Sequence, residues 1–205
     1  MILVGQYDSP YVRRVAVSLR ALGFAYHHDT RSVFGDFASM LKTNPLARIP
    51  SLILDDGTTL IDSSAILDWL DQRVGPERAL VPASGDLRIR ALQRIALATG
   101  VIDKVGSANY ERLIRPAELR WPEWIDRCLT QAKGGLAALD AMDWADNTFG
   151  QAEITTGCAL GYLLFTDPAL MPKGKHPRLE ALAARCEARP EFIATAVTDY
   201  RVPRP

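Results

Sequence analysis

The sequence predicts two domains of different class, an α/β domain at the N-terminus and an all-α domain after it. Short apolar runs alternate with helical patterns over the first 75 or so residues, whereas no strand pattern occurs beyond residue 85. The stretch between them lacks any hydrophobic periodicity. At 205 residues the chain is long enough to form two small domains.

The first part of the sequence is predicted to form a strand, a helix, a second strand and a short helix. Ile2 to Gln6 is a short apolar run, and apolar residues recur at helical spacing after Ser9-Pro10. Phe24 to Asp29 suits a second strand. A short helix over 36–42 must end before Asn44-Pro45, because the residue before a proline disfavours helical backbone. These elements form a βαβ unit followed by a helix.

A hairpin and a further helix complete the first domain. Ser51 to Leu54 and Thr58 to Ile61 flank an Asp55-Asp56-Gly57 turn, in which glycine supplies the positive φ that such turns require. From Ser63 to Val74 apolar residues again recur at helical spacing. Residues 1–75 are therefore predicted to have the order βαβα-ββα, which is the order of a thioredoxin-like domain.

The second domain is predicted to be all-helical and to cover residues 86–205. It follows a linker at residues 76–85, which is rich in proline and glycine and has no periodicity. Beyond the linker the apolar spacing suits helices throughout. The helical patterns lie at residues 87–105, 121–142, 153–165, 178–185 and 191–197.

Composition and charge exclude several classes of protein. The 24 basic residues are balanced by 24 acidic ones and form no dense basic run, so we expect no nucleic-acid and no membrane partner. The longest apolar run, residues 158–165, is far shorter than the roughly 20 residues that span a bilayer. The opening residues lack the pattern of a signal peptide, so we expect a cytoplasmic protein.

Cysteine and histidine usage indicates neither a disulfide framework nor a metal site. The three cysteines are odd in number and widely spaced, so we expect buried free thiols in a reducing compartment. The three histidines have no metal-ligand spacing with cysteine or carboxylates, so we expect no metal. These residues are Cys128, Cys158 and Cys186, and His27, His28 and His176.

Three short segments of the first domain could carry chemistry. At Ser9-Pro10 a hydroxyl meets the positive end of a helix, which could stabilise a ligand's thiolate. At Ile49-Pro50 a cis proline would leave the preceding backbone groups free to pair with an extended peptide. At Asp62-Ser63 the helix start could receive a carboxylate, and the Asp62 carboxylate an ammonium. Taken alone, each segment is more typical of a helix N-cap or a plain proline loop.

Together, the three segments resemble the glutathione transferase superfamily. Residues 9–15, Ser-Pro-Tyr-Val-Arg-Arg-Val, are similar to the family's Ser-Pro-Phe-x-Arg-Lys-Val opening. Asn44 to Pro50 is similar to its Asn-Pro-x-x-x-x-Pro loop, and Asp62-Ser63 to its Glu/Asp-Ser pair. Leu80-Val81-Pro82 and the Arg-Pro-Glu-Phe at 189–192 match further family patterns. The resemblance therefore extends over nearly the whole chain.

The resemblance implies glutathione as co-substrate and assigns a role to each matching residue. Ser9 would stabilise the thiolate, and Ile49 would pair its backbone with the cysteinyl unit beside a cis Pro50. Asp62 and Ser63 would hold the γ-glutamyl end. The family is dimeric, and apolar positions on more than one face of residues 87–105 agree with a homodimer.

Several alternatives remain open. Tyr7 is a second hydroxyl that could face the sulfur, although it has no helix N-terminus behind it. Asp103 could reach the glutathione of a neighbouring subunit or lie on a solvated helix face. The activity could be transfer of glutathione to a small hydrophobic electrophile, or reduction of disulfides or peroxides. A third alternative is a non-catalytic adaptor, against which the intact set of site residues argues.

One departure from the family pattern concerns the start of the sixth helix. The family has a serine or threonine there as the first member of a capping box, whereas this chain has Gly150, followed by Glu153. Glycine can cap only through its backbone. We therefore expect this helix start to be less stable by a few tenths of a kcal/mol.

Overall fold

The computed structural model describes residues 1–144 and 149–197, and the chain divides into two compact units. Of the described residues, the first unit contains 1–85 and 188–197, and the second contains the remainder between 86 and 187. Residues 145–148 and 198–205, which the sequence assigns to the helical domain, lie outside the described residues.

The first unit is built on a four-stranded mixed sheet. Its strands are β1 (Ile2–Val4), β2 (His27–Asp29), β3 (Ser51–Ile53) and β4 (Thr59–Leu60), and their spatial order is β2-β1-β3-β4. β1 pairs with β2 in parallel, while the β1–β3 and β3–β4 pairs are antiparallel. The predicted hairpin is thus the β3–β4 pair.

Three helices of this unit follow the predicted order. They are α1 (Pro10–Ala21), α2 (Phe37–Thr43) and α3 (Ser63–Val74). The predicted βαβα-ββα order is confirmed, and with it the thioredoxin-like class of the unit. β2 begins three residues later than predicted, because the N–H of Phe24 bonds to the carbonyl of Leu19 at the end of α1 and not to a strand.

Alternate residues of the strands face two apolar layers, as the pleat requires. One layer lies between the sheet and helices α1 and α3, and the other lies on the α2 side. The first contains the fully buried Leu3, Val12, Val15, Leu19, Leu52, Ile66 and Leu70. The second contains Val4, Met40 and Ala47, with Ile49 and Ile53 packed against them.

The C-terminal segment packs on α1, which is a difference from the predicted second domain. Its helix, α8 (Pro190–Ile193), ends four residues earlier than predicted. The buried guanidinium of Arg13 donates to the carbonyl oxygens of Thr195 at 2.9 Å and Phe192 at 3.2 Å. Because the Phe192 side chain is also fully buried, this segment belongs to the core of the first unit.

The predicted linker is held to the first unit by hydrogen bonds. The carboxylate of Asp71 in α3 accepts the N–H of Leu80 at 2.8 Å and that of Val81 at 3.0 Å. The Arg78 guanidinium donates to the carbonyl of Leu22 at the end of α1. Residues 76–84 form no helix or strand, α4 begins at the last residue of the predicted linker, and these polar contacts fix the backbone of the stretch.

The second unit is helical in all of its described secondary structure. Its long helices are α4 (Gly85–Leu113), α5 (Pro122–Asp140), α6 (Gln151–Thr166) and α7 (Pro177–Glu187), with short 3-10 turns at Ala117–Leu119 and Pro168–Leu170. The prediction of an all-α part after the α/β part is confirmed. α4 runs eight residues beyond its predicted end. Gly106 does not interrupt the helix, because its buried face continues through Ala108 and Asn109, and the first proline after Val105 is Pro116.

The three cysteines are buried thiols outside any disulfide bond, as predicted. Two lie in α6 and α7, where the Cys186 thiol contacts the carbonyl of Glu153. α6 begins at the predicted glycine cap, and the Glu153 carboxylate accepts the N–H of Gly150 at 2.9 Å. This start keeps one half of a capping box. Across the described ranges, no helix is both long and apolar enough to cross a membrane.

Candidate functional site

The register of the sheet brings the three predicted segments to one edge. Val4, at the end of β1, pairs with Ser51, at the start of β3, so the chain after β1 and the chain before β3 meet. β4 is antiparallel to β3, so the chain also leaves β4 at this edge. Ser9, Ile49-Pro50 and Asp62-Ser63 therefore lie at the same edge of one sheet.

Ser9 is the N-cap of α1. Its backbone is extended, with φ −74° and ψ 118°, and its Oγ accepts the N–H of Val12 at 3.4 Å. Pro10 is the first helical residue, which suits it because that position needs no N–H donor. A hydroxyl that accepts from its own helix keeps its O–H as a donor. The half-buried Ser9 thus combines a donor with the positive end of a 12-residue helix.

Tyr7, the alternative hydroxyl, is engaged on the other side of β1. Its Oη lies 2.8 Å from that of Tyr26, which precedes β2, and its ring stacks on the His28 ring at 3.9 Å. β2 and β3 flank β1 on opposite sides. These contacts favour Ser9 over Tyr7 as the residue that faces a ligand beside β3.

The Ile49–Pro50 peptide bond is cis, as the resemblance implies. Neither the N–H nor the C=O of Ile49 bonds to another residue in the described parts of the chain. Gly5, at the end of β1, adopts φ 125°, and a Cβ there would lie 2.8 Å from the Ile49 Cβ. This close approach requires glycine. The backbone of Ile49 is thus held against the end of β1 with its polar groups available.

Asn44 holds the loop that presents Ile49, although the sequence did not single it out as a site residue. Its Nδ2 donates to the Arg48 carbonyl at 2.8 Å, and its Oδ1 accepts the N–H of Leu46 at 2.9 Å. Its side chain is almost completely buried. The sequence could have indicated this role, because Asn44 begins the matched loop motif and its amide offers both a donor and an acceptor that can bridge a turn.

At α3 the two predicted residues have separate roles in the local structure. Asp62 is the N-cap, and its Oδ1 accepts the N–H of Ser64 at 2.8 Å and that of Ala65 at 3.4 Å. Ser63 is the first helical residue, and its N–H has no partner among the residues described. An exposed carboxylate and an available N–H donor therefore stand next to each other.

Arg14 reaches this helix start from α1, and the sequence analysis missed it. The guanidinium donates to the Ser63 Oγ through Nε at 3.2 Å and Nη2 at 2.7 Å, and to the Ser64 Oγ at 3.1 Å. It is only 2% exposed. One feature of the sequence could have indicated a buried role for Arg14: Arg13 and Arg14 stand between two valines of an apolar helix.

Asp8 precedes the Ser9 cap and is half-buried. Burial raises the pKa of its carboxyl above the ordinary value, while the N–H groups of Ser9 and of Asp8 itself oppose the rise. A carboxylate beside Ser9 would repel a thiolate. A raised pKa favours the neutral form of the Asp8 carboxyl and so weakens this repulsion.

Two further expectations concern residues away from this edge. Asp103 lies in α4 of the second unit and is exposed, so its contact with a neighbouring subunit stays a prediction. In residues 1–144 and 149–197, no three side chains of His, Cys, Asp or Glu form a group that could hold a metal ion.

Comparisons with known proteins point to one family. Residues 3–78 match the family model for the glutathione S-transferase N-terminal domain. The chain is 30% identical to the uncharacterized GST-like protein YibF of Escherichia coli K12, over 95% of this chain and 98% of that protein.

Two solved structures of bacterial relatives extend this likeness to the whole fold. A glutathione transferase family member from Pseudomonas fluorescens Pf-5 with bound glutathione has a TM-score of 0.86 and 37% identity, covering 96% of this chain and 98% of the other. A glutathione S-transferase from Methylobacillus flagellatus KT with glutathione bound has a TM-score of 0.88 and 31% identity, covering 96% and 99%.

The structure is that of a thioredoxin-like unit, whose sheet brings Ser9, Ile49 and Ser63 to one edge, followed along the chain by a helical unit. With these relatives matched over nearly their full lengths, the chain belongs to the glutathione transferase superfamily.

Proposed function

We propose that this protein binds glutathione at the Ser9, Ile49 and Ser63 edge and stabilises its thiolate for attack on a small hydrophobic electrophile. The main observation behind this proposal is that the Ser9 hydroxyl, the backbone N–H and C=O of Ile49 and the Ser63 N–H lie along one edge of the sheet. The glutathione bound in two bacterial relatives supports this choice of ligand.

The polar groups of the edge suit the charges of the tripeptide. The γ-glutamyl end carries an ammonium and a carboxylate, which would face Asp62 and the N–H and O–H of Ser63 respectively. The cysteinyl unit would pair in antiparallel fashion with the N–H and C=O of Ile49, beside Pro50. This arrangement would direct the sulfur toward Ser9.

Ser9 would act on the sulfur by stabilising its negative charge. Its O–H would donate to the thiolate while the positive end of α1 adds favourable electrostatics. Both effects act on the charged form, so they lower the pKa of the bound thiol and raise the fraction of nucleophile at neutral pH. The thiolate would then attack the electrophilic centre of the second substrate.

The protein's own thiols do not suit a mechanism through a protein disulfide. All three cysteines of the chain are buried, and serine occupies the position beside the sulfur. We therefore favour transfer over protein-thiol exchange. Reduction of a disulfide or peroxide by glutathione itself, and an adaptor without catalysis, are the outcomes that the experiment must separate. Glutathione dependence and reduced thiols would suit the cytoplasm.

The test combines a melting curve with an activity panel. Glutathione at a hundred times its dissociation constant should stabilise the fold by about 2.7 kcal/mol and raise the melting temperature. Aryl halides, hydroperoxides and mixed disulfides are then assayed with glutathione. No thermal shift at millimolar glutathione would contradict the proposal, whereas a shift without turnover of any substrate would favour the adaptor.

We also propose a homodimer. Several large apolar side chains of α4 are exposed in the single chain, namely Leu87, Ile89 and Leu92. Light scattering at micromolar concentration should therefore give about twice the 22.6 kDa of one chain. A mass of one chain only would rule the dimer out.

A further inference from the structure

Arg14 is a buried cation at the start of α3, close to the proposed γ-glutamyl pocket. Its guanidinium lies over the Tyr11 ring at 5.5 Å and donates to the hydroxyls of Ser63 and Ser64. Its side chain is almost completely shielded from solvent. Shielding increases the strength of its electrostatic interactions with nearby groups.

The hydrogen bonds between Arg14 and Ser63 determine what the Ser63 hydroxyl can still do. A serine hydroxyl has two acceptor lone pairs and one O–H donor, whereas a guanidinium can only donate. Nε and Nη2 of Arg14 both donate to the Ser63 Oγ, at 3.2 and 2.7 Å. With both lone pairs engaged, the hydroxyl can offer a ligand only its O–H.

We propose that Arg14 is a positioning residue that makes the Ser63 hydroxyl an obligate donor, so that the site selects ligands with a carboxylate at the γ-glutamyl end. This inference rests on the proposed function. A carboxylate accepts hydrogen bonds and carries negative charge, so both the O–H of Ser63 and the buried cation favour it. An ammonium at the same place would meet no acceptor and a like charge, and an amide could accept the O–H only with a neutral oxygen.

The same contacts give the γ-glutamyl zwitterion one orientation. The carboxylate is favoured at Ser63, whose hydroxyl accepts from Arg14, and the ammonium is favoured at the exposed Asp62 carboxylate next to it. The reversed orientation would place like charges together at both residues. Arg14 therefore acts on orientation and specificity without contacting the ligand.

Two truncated tripeptides separate the contributions of Arg14 and Asp62. In 4-aminobutyryl-cysteinylglycine the γ-glutamyl carboxylate is absent and the amine remains, whereas glutaryl-cysteinylglycine keeps the carboxylate and lacks the amine. Dissociation constants of these probes and of glutathione are measured by calorimetry. R14M should weaken glutathione and the glutaryl peptide by about tenfold or more, and leave the aminobutyryl peptide unchanged.

Matched variants show whether the effect passes through Ser63. S63A should give the same pattern as R14M, and the double variant should lose little more than either single one. R20M removes an exposed arginine from the far end of the same helix and should change none of the three affinities. D62N should give the opposite pattern, weakening glutathione and the aminobutyryl peptide.

The outcomes distinguish this inference from the proposed function. If the wild-type protein does not bind glutathione, the proposed function fails and Arg14 has no such role. If the wild type binds but R14M weakens all three peptides equally, or none, Arg14 is only structural and the inference is overturned. Should R14M fail to fold, R14Q removes the charge and keeps side-chain N–H donors, and an unchanged ratio of glutathione to aminobutyryl affinity in R14Q would overturn the inference.

Discussion

The hydroxyl oxygens of Tyr7 and Tyr26 lie 2.8 Å apart, so the phenol at the end of β1 is paired with a residue that precedes β2. Arg20 extends this group, since its Nε donates to the Tyr26 hydroxyl at 3.3 Å. The Tyr7 ring also stacks on His28. Tyr7 is thus part of the packing between α1 and the edge strand, while Ser9 keeps its place at the helix start.

The first prediction distinguishes these two hydroxyls. Ser9→Ala should raise the pKa of the bound glutathione thiol by about one to two pH units, because a hydrogen bond to a charged acceptor contributes about 1.5 to 3 kcal/mol. Tyr7→Phe should leave that pKa unchanged. The measurement is the ultraviolet absorbance of the thiolate as a function of pH.

Stability must be measured beside this titration. Ser9→Ala also removes the N-cap of α1 and should cost about 1 kcal/mol of unfolding free energy. Tyr7→Phe should cost a comparable amount through its lost partner. If both variants fold and only Tyr7→Phe moves the thiolate titration, Ser9 is the wrong residue.

The second prediction concerns Asp62, which has a structural and a binding role. Its carboxylate caps α3, and asparagine is an equally good cap, so Asp62→Asn should keep the stability of the fold. Asp62→Ala should lose about 1 kcal/mol of unfolding free energy. Both variants should bind glutathione more weakly in calorimetry, because each removes the charge that faces the ammonium. Wild-type affinity in Asp62→Asn would contradict the assignment.

The sequence predicted the fold well because apolar periodicity reports local structure and burial together. The order of strands and helices, the proline loop and the helix starts all follow from residues close in sequence. Arg14 and Ser63 are 49 residues apart, and nothing local to either predicts their contact. The hydrogen bonds from Arg13 to the C-terminal segment likewise depend on tertiary packing, so the segment after Ala188 was assigned to the helical domain.

The third prediction tests those hydrogen bonds. Arg13→Met keeps an apolar stem but leaves the buried carbonyl oxygens of Phe192 and Thr195 without their guanidinium donors. It should lower the unfolding free energy by about 2 to 4 kcal/mol in urea. Arg20→Met, an exposed change on the same helix, should cost less than about 1 kcal/mol. Equal losses in the two variants would show that the Arg13 contacts add no stability.

The last prediction is a pH dependence that arises at Asp8. Because burial raises the pKa of this carboxyl in the folded state, ionising it costs folding free energy, and the cost appears as pH rises through the unfolded value near 3.8 and is complete above the folded one. Asp8→Asn should therefore be more stable than the wild type at pH 7, and this gain should vanish near pH 3, where the wild-type carboxyl is protonated. Urea unfolding of both proteins at the two pH values measures the difference. A gain of equal size at pH 3 and pH 7 would mean that the amide improves packing or hydrogen bonding, and that the charge of Asp8 is not what destabilises the fold.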